Sequence, residues 1–177
     1  LIVTDAAINI APTLEDKVDI CQNAIDLAIS LGVARPKLAI LAAVETVNSK
    51  MSATLDAAAL CKMAERGQIK GAILDGPLAF DNAISKEAAT IKGIASEVAG
   101  DPDILLTPDL EAGNILAKLL SHLAKSDSAG LVLGARVPII LTSRSDSVRA
   151  RIASCAIGML AAYAQRPTVA LPAAKAK

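Results

Sequence analysis

The sequence predicts an α/β fold, a mostly parallel sheet sandwiched by helices. Two observations lead there. Short, unbroken apolar runs alternate with segments of helical period, as expected for strands buried on both faces. The hydrophobic content is 53%, rich in Ala, Leu, Ile and Val, while aromatics are only 1%. Small and branched side chains suit helices laid closely on a sheet.

Each element has its own local reason. The first strand is "LIVTD", residues 1–5, an apolar run closed by an acid. Pro12 and Thr13 then open a helix, with Thr13 as N-cap and Asp16 three places on, a capping-box spacing. Leu14, Val18, Cys21, Ile25 and Ala28 follow at helical spacing, and Gly32 stops the run. "KLAILAAV", residues 37–44, is the next strand. A helix follows from Ser52, a candidate cap, to Gly67. "GAILDGP", residues 71–77, is a third strand ended by Gly76-Pro77. After a polar segment comes a fourth, "DILLTPD", residues 103–109, whose last acid can cap "LEAGNILAKLLSHL". Leu116, Leu119, Leu120 and Leu123 form an apolar stripe there, with Glu111, Asn114, Lys118 and His122 opposite. "AGLVLGA" and "VPIILTS" supply two more strands, and a last helix runs from about Ser147 to Ala164. The tail "LPAAKAK" is expected to fray.

Composition excludes several classes of function. The net charge is zero, from 18 basic and 18 acidic residues, so no basic stripe awaits a phosphate backbone. The scarcity of aromatics removes the stacking surface that single strands need. Neither nucleic acid nor membrane is an expected partner: no apolar run approaches the roughly 20 residues of a bilayer span. The 3 cysteines are scattered. They read as reduced, buried, cytoplasmic thiols. CxxC, HxxxH and EF-hand spacings are absent, so no metal is expected, and neither GxGxxG nor a P-loop occurs. The chain opens without Met, inside a strand, as the C-terminal piece of something longer would.

Open parallel sheets bind ligands beyond the carboxyl ends of their strands. Those ends carry Thr4, Asp5 and Asn9; Glu45, Thr46 and Asn48; Asp75, Asp81 and Asn82; Thr107, Asp109 and Glu111; and Ser143, Arg144, Ser145 and Asp146. All of them could lie on the same edge of the sheet. The last group is the richest. A helix start offers free N–H groups to an anion, Arg144 adds a planar cation that can grip phosphate, and Asp146 can take a proton. A plainer alternative makes Asp146 or Ser147 the helix cap and Arg144 a solvated charge. In "ILDGPLAFDNAIS" the plain reading is a Gly-Pro turn, Asp81 as a cap and Phe80 in the core; it leaves the crowding of Asp75, Asp81 and Asn82 unexplained. The single histidine, His122, reads as an exposed bystander.

Four stretches, "ILDGPLAFDNAIS", "VAGDPDILLTPDLEAGNILAK", "AGLVLGARVPIILTSRSDS" and "RIASCA", resemble the phosphate acetyltransferase and phosphate butyryltransferase family. The likeness is strongest to its butyryltransferase-type branch, which includes transferase parts that follow an enoyl-CoA hydratase-like domain. It extends over nearly the whole chain, from "TDAAINIAPTLEDK" onward. The resemblance implies a cytoplasmic homodimer that interconverts acyl-CoA plus phosphate with acyl phosphate plus CoA, with CoA as substrate and no permanently bound cofactor. It implies a two-domain fold similar to the isocitrate and isopropylmalate dehydrogenases. Residues 1–136 would be the second domain, and residues 137–177 the strand and helix returning to a mostly absent first. The family's Ser-Arg pair falls on Ser143 and Arg144. Its thiol base falls nearest to Asp146, although the acetyltransferase branch has that acid where this chain has Ala150.

The residues agree with such chemistry. A thiol must be deprotonated to attack, and attack on an acyl carbonyl builds an oxyanion that needs N–H or guanidinium partners. Direct attack between bound substrates is expected, since Ser143 has no histidine beside it. Two alternatives stand alongside. One is a metal- and NAD(P)-dependent decarboxylating dehydrogenase of the same fold, with Asp75 and Asp81 as ligands. The other is an inactive dimerisation or CoA-contacting fragment.

Overall fold

A computed structural model describes residues 1–164. Its main sheet has four parallel strands, β1 (Ile2–Thr4), β2 (Lys37–Leu41), β3 (Ile73–Leu78) and β4 (Ile104–Leu106), in the order β1-β4-β2-β3. Parallel neighbours need long crossovers. These contain α1 (Leu14–Ser30), α2 (Ser52–Glu65), and the short α3 (Phe80–Ile84) and α4 (Lys86–Ile91); α5 (Leu110–His122) follows β4.

Successive strand residues face opposite sides of a sheet. Leu38 and Ile40 of β2, with Ile104 and Leu106 of β4, pack against Ile20, Cys21, Ala24 and Ile25 of α1 and Ala57 and Leu60 of α2. Ala39, Leu41 and Leu105 point the other way, against Ala83 of α3, Ala89 of α4 and Val98, with Leu116 of α5 partly buried beside them. Both faces are therefore covered, as the unbroken apolar runs require. Each fully buried Leu or Ile contributes about 1.5–3 kcal/mol.

Helix ends follow their local chemistry. Thr13 and Asp16 form the expected capping box, with Asp16 N–H donating to Thr13 Oγ1 at 3.2 Å and Thr13 N–H to Asp16 Oδ2 at 2.9 Å. At the other end of α1, Gly32 takes φ +97° while Gly32 N–H and Val33 N–H donate to the carbonyls of Ile29 and Ala28. That is a Schellman stop, which favours glycine. Gly67 ends α2 in the same way. Asp109 caps α5 through Ala112 N–H at 2.8 Å.

Several expectations are corrected. Met51, not Ser52, has the capping conformation of α2, and Ser52 is already helical. Gly76-Pro77 does not end β3, which continues to Leu78 across a register shift against β2. Such an irregularity, in the outermost strand, tolerates a residue without an N–H. The polar segment after β3 holds α3 and α4. Asp81 lies inside α3, whose cap is Ala79, and Phe80 is 40% exposed rather than core. The α5 stripe is only partly covered: Leu119 and Leu123 are 47% and 78% exposed. Glu111, Asn114, Lys118 and His122 are exposed as expected. Cys21 is buried and Cys61 half-buried, but Cys155 is exposed.

The largest correction concerns the last two strands. β5 (Leu131–Val132) and β6 (Ile139–Ile140) pair with each other, antiparallel, in a separate ribbon. The reason is the connection, residues 133–138: too short for a crossover, it permits only a hairpin. α6 (Val148–Ala164) lies on this ribbon and against α1. Its buried Ser154 Oγ receives Gly130 N–H at 3.0 Å and donates to the Ala150 carbonyl at 2.8 Å. The tail "LPAAKAK" falls outside the described residues.

Candidate functional site

The polar strand ends separate into groups with different tasks. At the end of β1, Asp5 is structural. Its Oδ1 accepts the N–H groups of Ala7 and Ile8 at 2.8 and 3.0 Å, and its Oδ2 accepts Asn9 N–H and Nδ2 at 2.8 and 2.7 Å. Burial alone would raise its pKa; these hydrogen bonds outweigh burial and hold it below the usual carboxylate value. Thr107 Oγ1 fastens the same turn from β4, donating to the Asp5 carbonyl at 3.1 Å. α5 reaches this turn because Gly113 is small: a β-carbon there would run into Asp5 O and Thr107 Oγ1.

A second group gathers beyond β2 and β3. Asn82 is fully buried, and its Nδ2 donates to Glu45 Oε2 at 3.3 Å. Lys92 Nζ approaches the same Oε2 at 3.4 Å and Asp81 Oδ1 at 3.0 Å. The bond to Lys92 and the Asn82 N–H hold Asp81 below the usual carboxylate range, while Asp81, then Glu45, raise Lys92. The Oδ1 of Asn82 is buried without a hydrogen-bond partner among the described residues. Asp75 stands apart within β3, its Oδ1 accepting Gly76 N–H at 2.8 Å, close enough to the Cys61 thiol to help raise it. Burial is the larger cause, and the Cys61 pKa is pushed up to about 12.

The third group is the turn between β6 and α6. Ser143 N–H donates to Asp146 Oδ2 at 2.6 Å, and Asp146 N–H returns to the Ser143 carbonyl at 3.1 Å. The hydroxyls of Ser143 and Ser145 lie 3.1 Å apart, and Lys118 of α5 reaches Ser143 Oγ at 3.4 Å. Ser147 caps α6 through Ala150 N–H at 3.1 Å, so Asp146 is not the cap. The Arg144 guanidinium is exposed and makes no hydrogen bond or ion pair among the described residues; only its carbonyl is engaged, by Arg151 at 3.4 Å.

These groups do not all lie on one edge of the main sheet. The Ser143–Asp146 turn ends a ribbon strand, and no hydrogen bond or ion pair joins it to Asp81 or Asn82 among the described residues. Lys92 was missed because its partners lie far away in sequence and it carries no motif. Glu45 was visible only as one acid after a strand. Among the described residues, no three His, Cys, Asp or Glu side chains converge as a metal site, and no helix is long and apolar enough to cross a membrane.

A parallel sheet sandwiched by helices, followed by a ribbon and a serine-rich turn that carries Arg144 to the start of α6, defines an α/β protein. The chain belongs to the phosphate acetyl/butaryl transferase family, whose model matches residues 1–159. It is 65% identical over 174 residues to a phosphate acetyltransferase of Rhizobium meliloti, covering 98% of this chain and 54% of that protein. It is 55% identical over 161 residues to a probable phosphate butyryltransferase of Bacillus subtilis (strain 168), covering 91% of this chain and 54% of the relative. Among solved structures, a branched-chain phosphotransacylase from Enterococcus faecalis V583 superposes with a TM-score of 0.82 at 36% identity, over 90% of this chain and 58% of the other. The chain spans about half the length of the curated relatives it matches.

Proposed function

We propose that this chain is the C-terminal part of a phosphate acyltransferase, exchanging acyl-CoA plus phosphate for acyl phosphate plus CoA. The observation that carries the reading is Arg144, without a side-chain partner among the described residues, beside Ser143 on a turn held by Asp146, in a chain matched by the family along residues 1–159. Arg144 and the Ser143 and Ser145 hydroxyls bind the anionic groups of the substrates. Asp146 has Oδ2 committed to Ser143 N–H. Its Oδ1 is left to take the thiol proton as sulfur attacks the acyl carbonyl. Asp75, Asp81 and Asn82 line the substrate side of the main sheet. CoA enters as a substrate, and no cofactor is permanently bound.

Residues 1–136 correspond, in this reading, to the second domain of an isocitrate dehydrogenase-like enzyme. Residues 137–177, of which 165–177 lie outside the described residues, return to the first. β5 and β6 pair with each other across that boundary, and their ribbon stands apart from the main sheet. The enzyme acts as a cytoplasmic homodimer. The dehydrogenase alternative gains no support, since Asp81 is bound to Lys92 and Asp75 to its neighbour's N–H.

The test is thioester formation from acyl phosphate and CoA, measured on this chain beside its full-length form. The full-length form turns over, and Arg144→Ala abolishes turnover with the fold intact. Undiminished turnover of that variant would remove Arg144 from the site. The isolated chain is expected to be weak or silent, and full activity in it would overturn the domain assignment.

A further inference from the structure

Asn82 presents a physical puzzle. It is fully buried, and its Oδ1 has no partner among the described residues. A buried, unsatisfied polar atom is a standing cost to the fold, and a leucine of similar shape would not incur it. The other half of the same amide is used. Nδ2 donates to Glu45 Oε2 at 3.3 Å, and Lys92 Nζ approaches that same oxygen at 3.4 Å. Two donors thus converge on one oxygen of a carboxylate whose side chain is 33% exposed. Oε1 of Glu45 has no partner among the described residues. The amide orientation is dictated by its neighbour, since the reverse would set a carbonyl against a carboxylate. Lys92 is itself restrained by Asp81 at 3.0 Å. Glu45 and Asn82 both lie beyond the carboxyl ends of adjacent parallel strands, where such sheets receive ligands.

We infer that Glu45 is a substrate-binding residue whose free oxygen accepts a hydrogen bond from an N–H or O–H group of the thiol cosubstrate, and that Asn82 and Lys92 position it. The inference rests on the acyltransferase reading above, in which that cosubstrate is CoA. The arm of CoA bearing the thiol carries secondary amides and a hydroxyl, donors of the kind an oriented, part-exposed carboxylate oxygen accepts. The phosphates of CoA do not belong here, because Glu45 and Asp81 would repel them. The site therefore reads the neutral arm, which ends in the thiol.

The experiment compares Glu45→Gln, Asn82→Leu and Arg144→Ala in the full-length protein. CoA binding is measured by calorimetry, turnover by initial rates, and stability by thermal unfolding. Glu45→Gln should weaken CoA binding at least tenfold and raise its KM, with the KM for phosphate unchanged. Asn82→Leu should move CoA binding in the same direction while leaving the melting temperature equal to or above that of the parent. Asn82→Leu that melts early but binds CoA normally would make Asn82 structural and overturn the inference. So would Glu45→Gln that binds CoA as the parent does. If Arg144→Ala alone is impaired, the acyltransferase reading stands and this inference fails. A parent protein that neither binds CoA nor turns over overturns both.

Discussion

The backbone N–H of Ser143 lies 2.6 Å from Oδ2 of Asp146. One carboxylate oxygen thus shapes the turn; in the proposed acyltransferase the other would take the thiol proton, and the two tasks can be separated. Asp146→Asn keeps an acceptor for Ser143 but removes the charge. Turnover in the full-length form should fall by about 100-fold or more, with the melting temperature unchanged. Asp146→Ala loses the acceptor as well and should lower both. Rates and thermal unfolding measured on the same samples decide the matter; equal activity of Asp146→Asn and parent would exclude Asp146 as the base.

Lys17 is 5% exposed and reaches Asp56 at 2.6 Å, joining α1 to α2. Removing Asp56 leaves an ammonium in the interior, so Asp56→Ala should cost about 2 kcal/mol. Lys17→Met removes the buried charge and keeps the aliphatic packing, leaving Asp56 to water. It should cost less, about 1 kcal/mol or under. Urea unfolding of the two variants gives the comparison, and a reversed order would refute the account.

Asp5 makes the acid limb of stability predictable in sign. Its folded pKa is depressed, because hydrogen bonds from Ala7, Ile8 and Asn9 prevail over burial. Its contribution is therefore complete above the ordinary carboxylate value of about 4 and is lost as the pH falls through the lower folded value. Asp5→Asn should be less stable than the parent at neutral pH, with the gap narrowing in acid. Unfolding curves across that range test it, and a gap that widens on acidification would contradict it.

Gly113 is where α5 comes closest to β1. A β-carbon there meets Asp5 O and Thr107 Oγ1, so Gly113→Ala must push α5 outward. The expected loss is about 1–3 kcal/mol despite alanine's better helix propensity. An unchanged unfolding midpoint would show that α5 shifts freely.

What was legible in the sequence was local or periodic. The Thr13–Asp16 capping box, the Gly32 and Gly67 stops and the Asp109 cap involve residues a few places apart, and each formed as read. The burial of residues 38–41 on both faces of the sheet follows from an apolar run too continuous for a half-exposed strand. The β5–β6 hairpin was also written in the chain, in a connection of residues 133–138 that no parallel crossover could use, but apolar content alone does not say which strand each segment pairs with. Lys92 was out of reach: its grip on Glu45 and Asp81 exists only after β2 and β3 lie side by side. The same holds for Asn82, whose neighbours in sequence suggested a surface turn while tertiary packing buried it.

The strand order β1-β4-β2-β3 carries a consequence for how the chain is made. Ile2–Thr4 finds no partner among the strands that follow it directly; it must wait for Ile104–Leu106 to leave the ribosome. Until then its backbone lacks its strand partner, while β2 and β3 can already associate. Closing so long a loop is slow, and a nascent chain halted before β4 offers an unpaired segment to chaperones or to its neighbours.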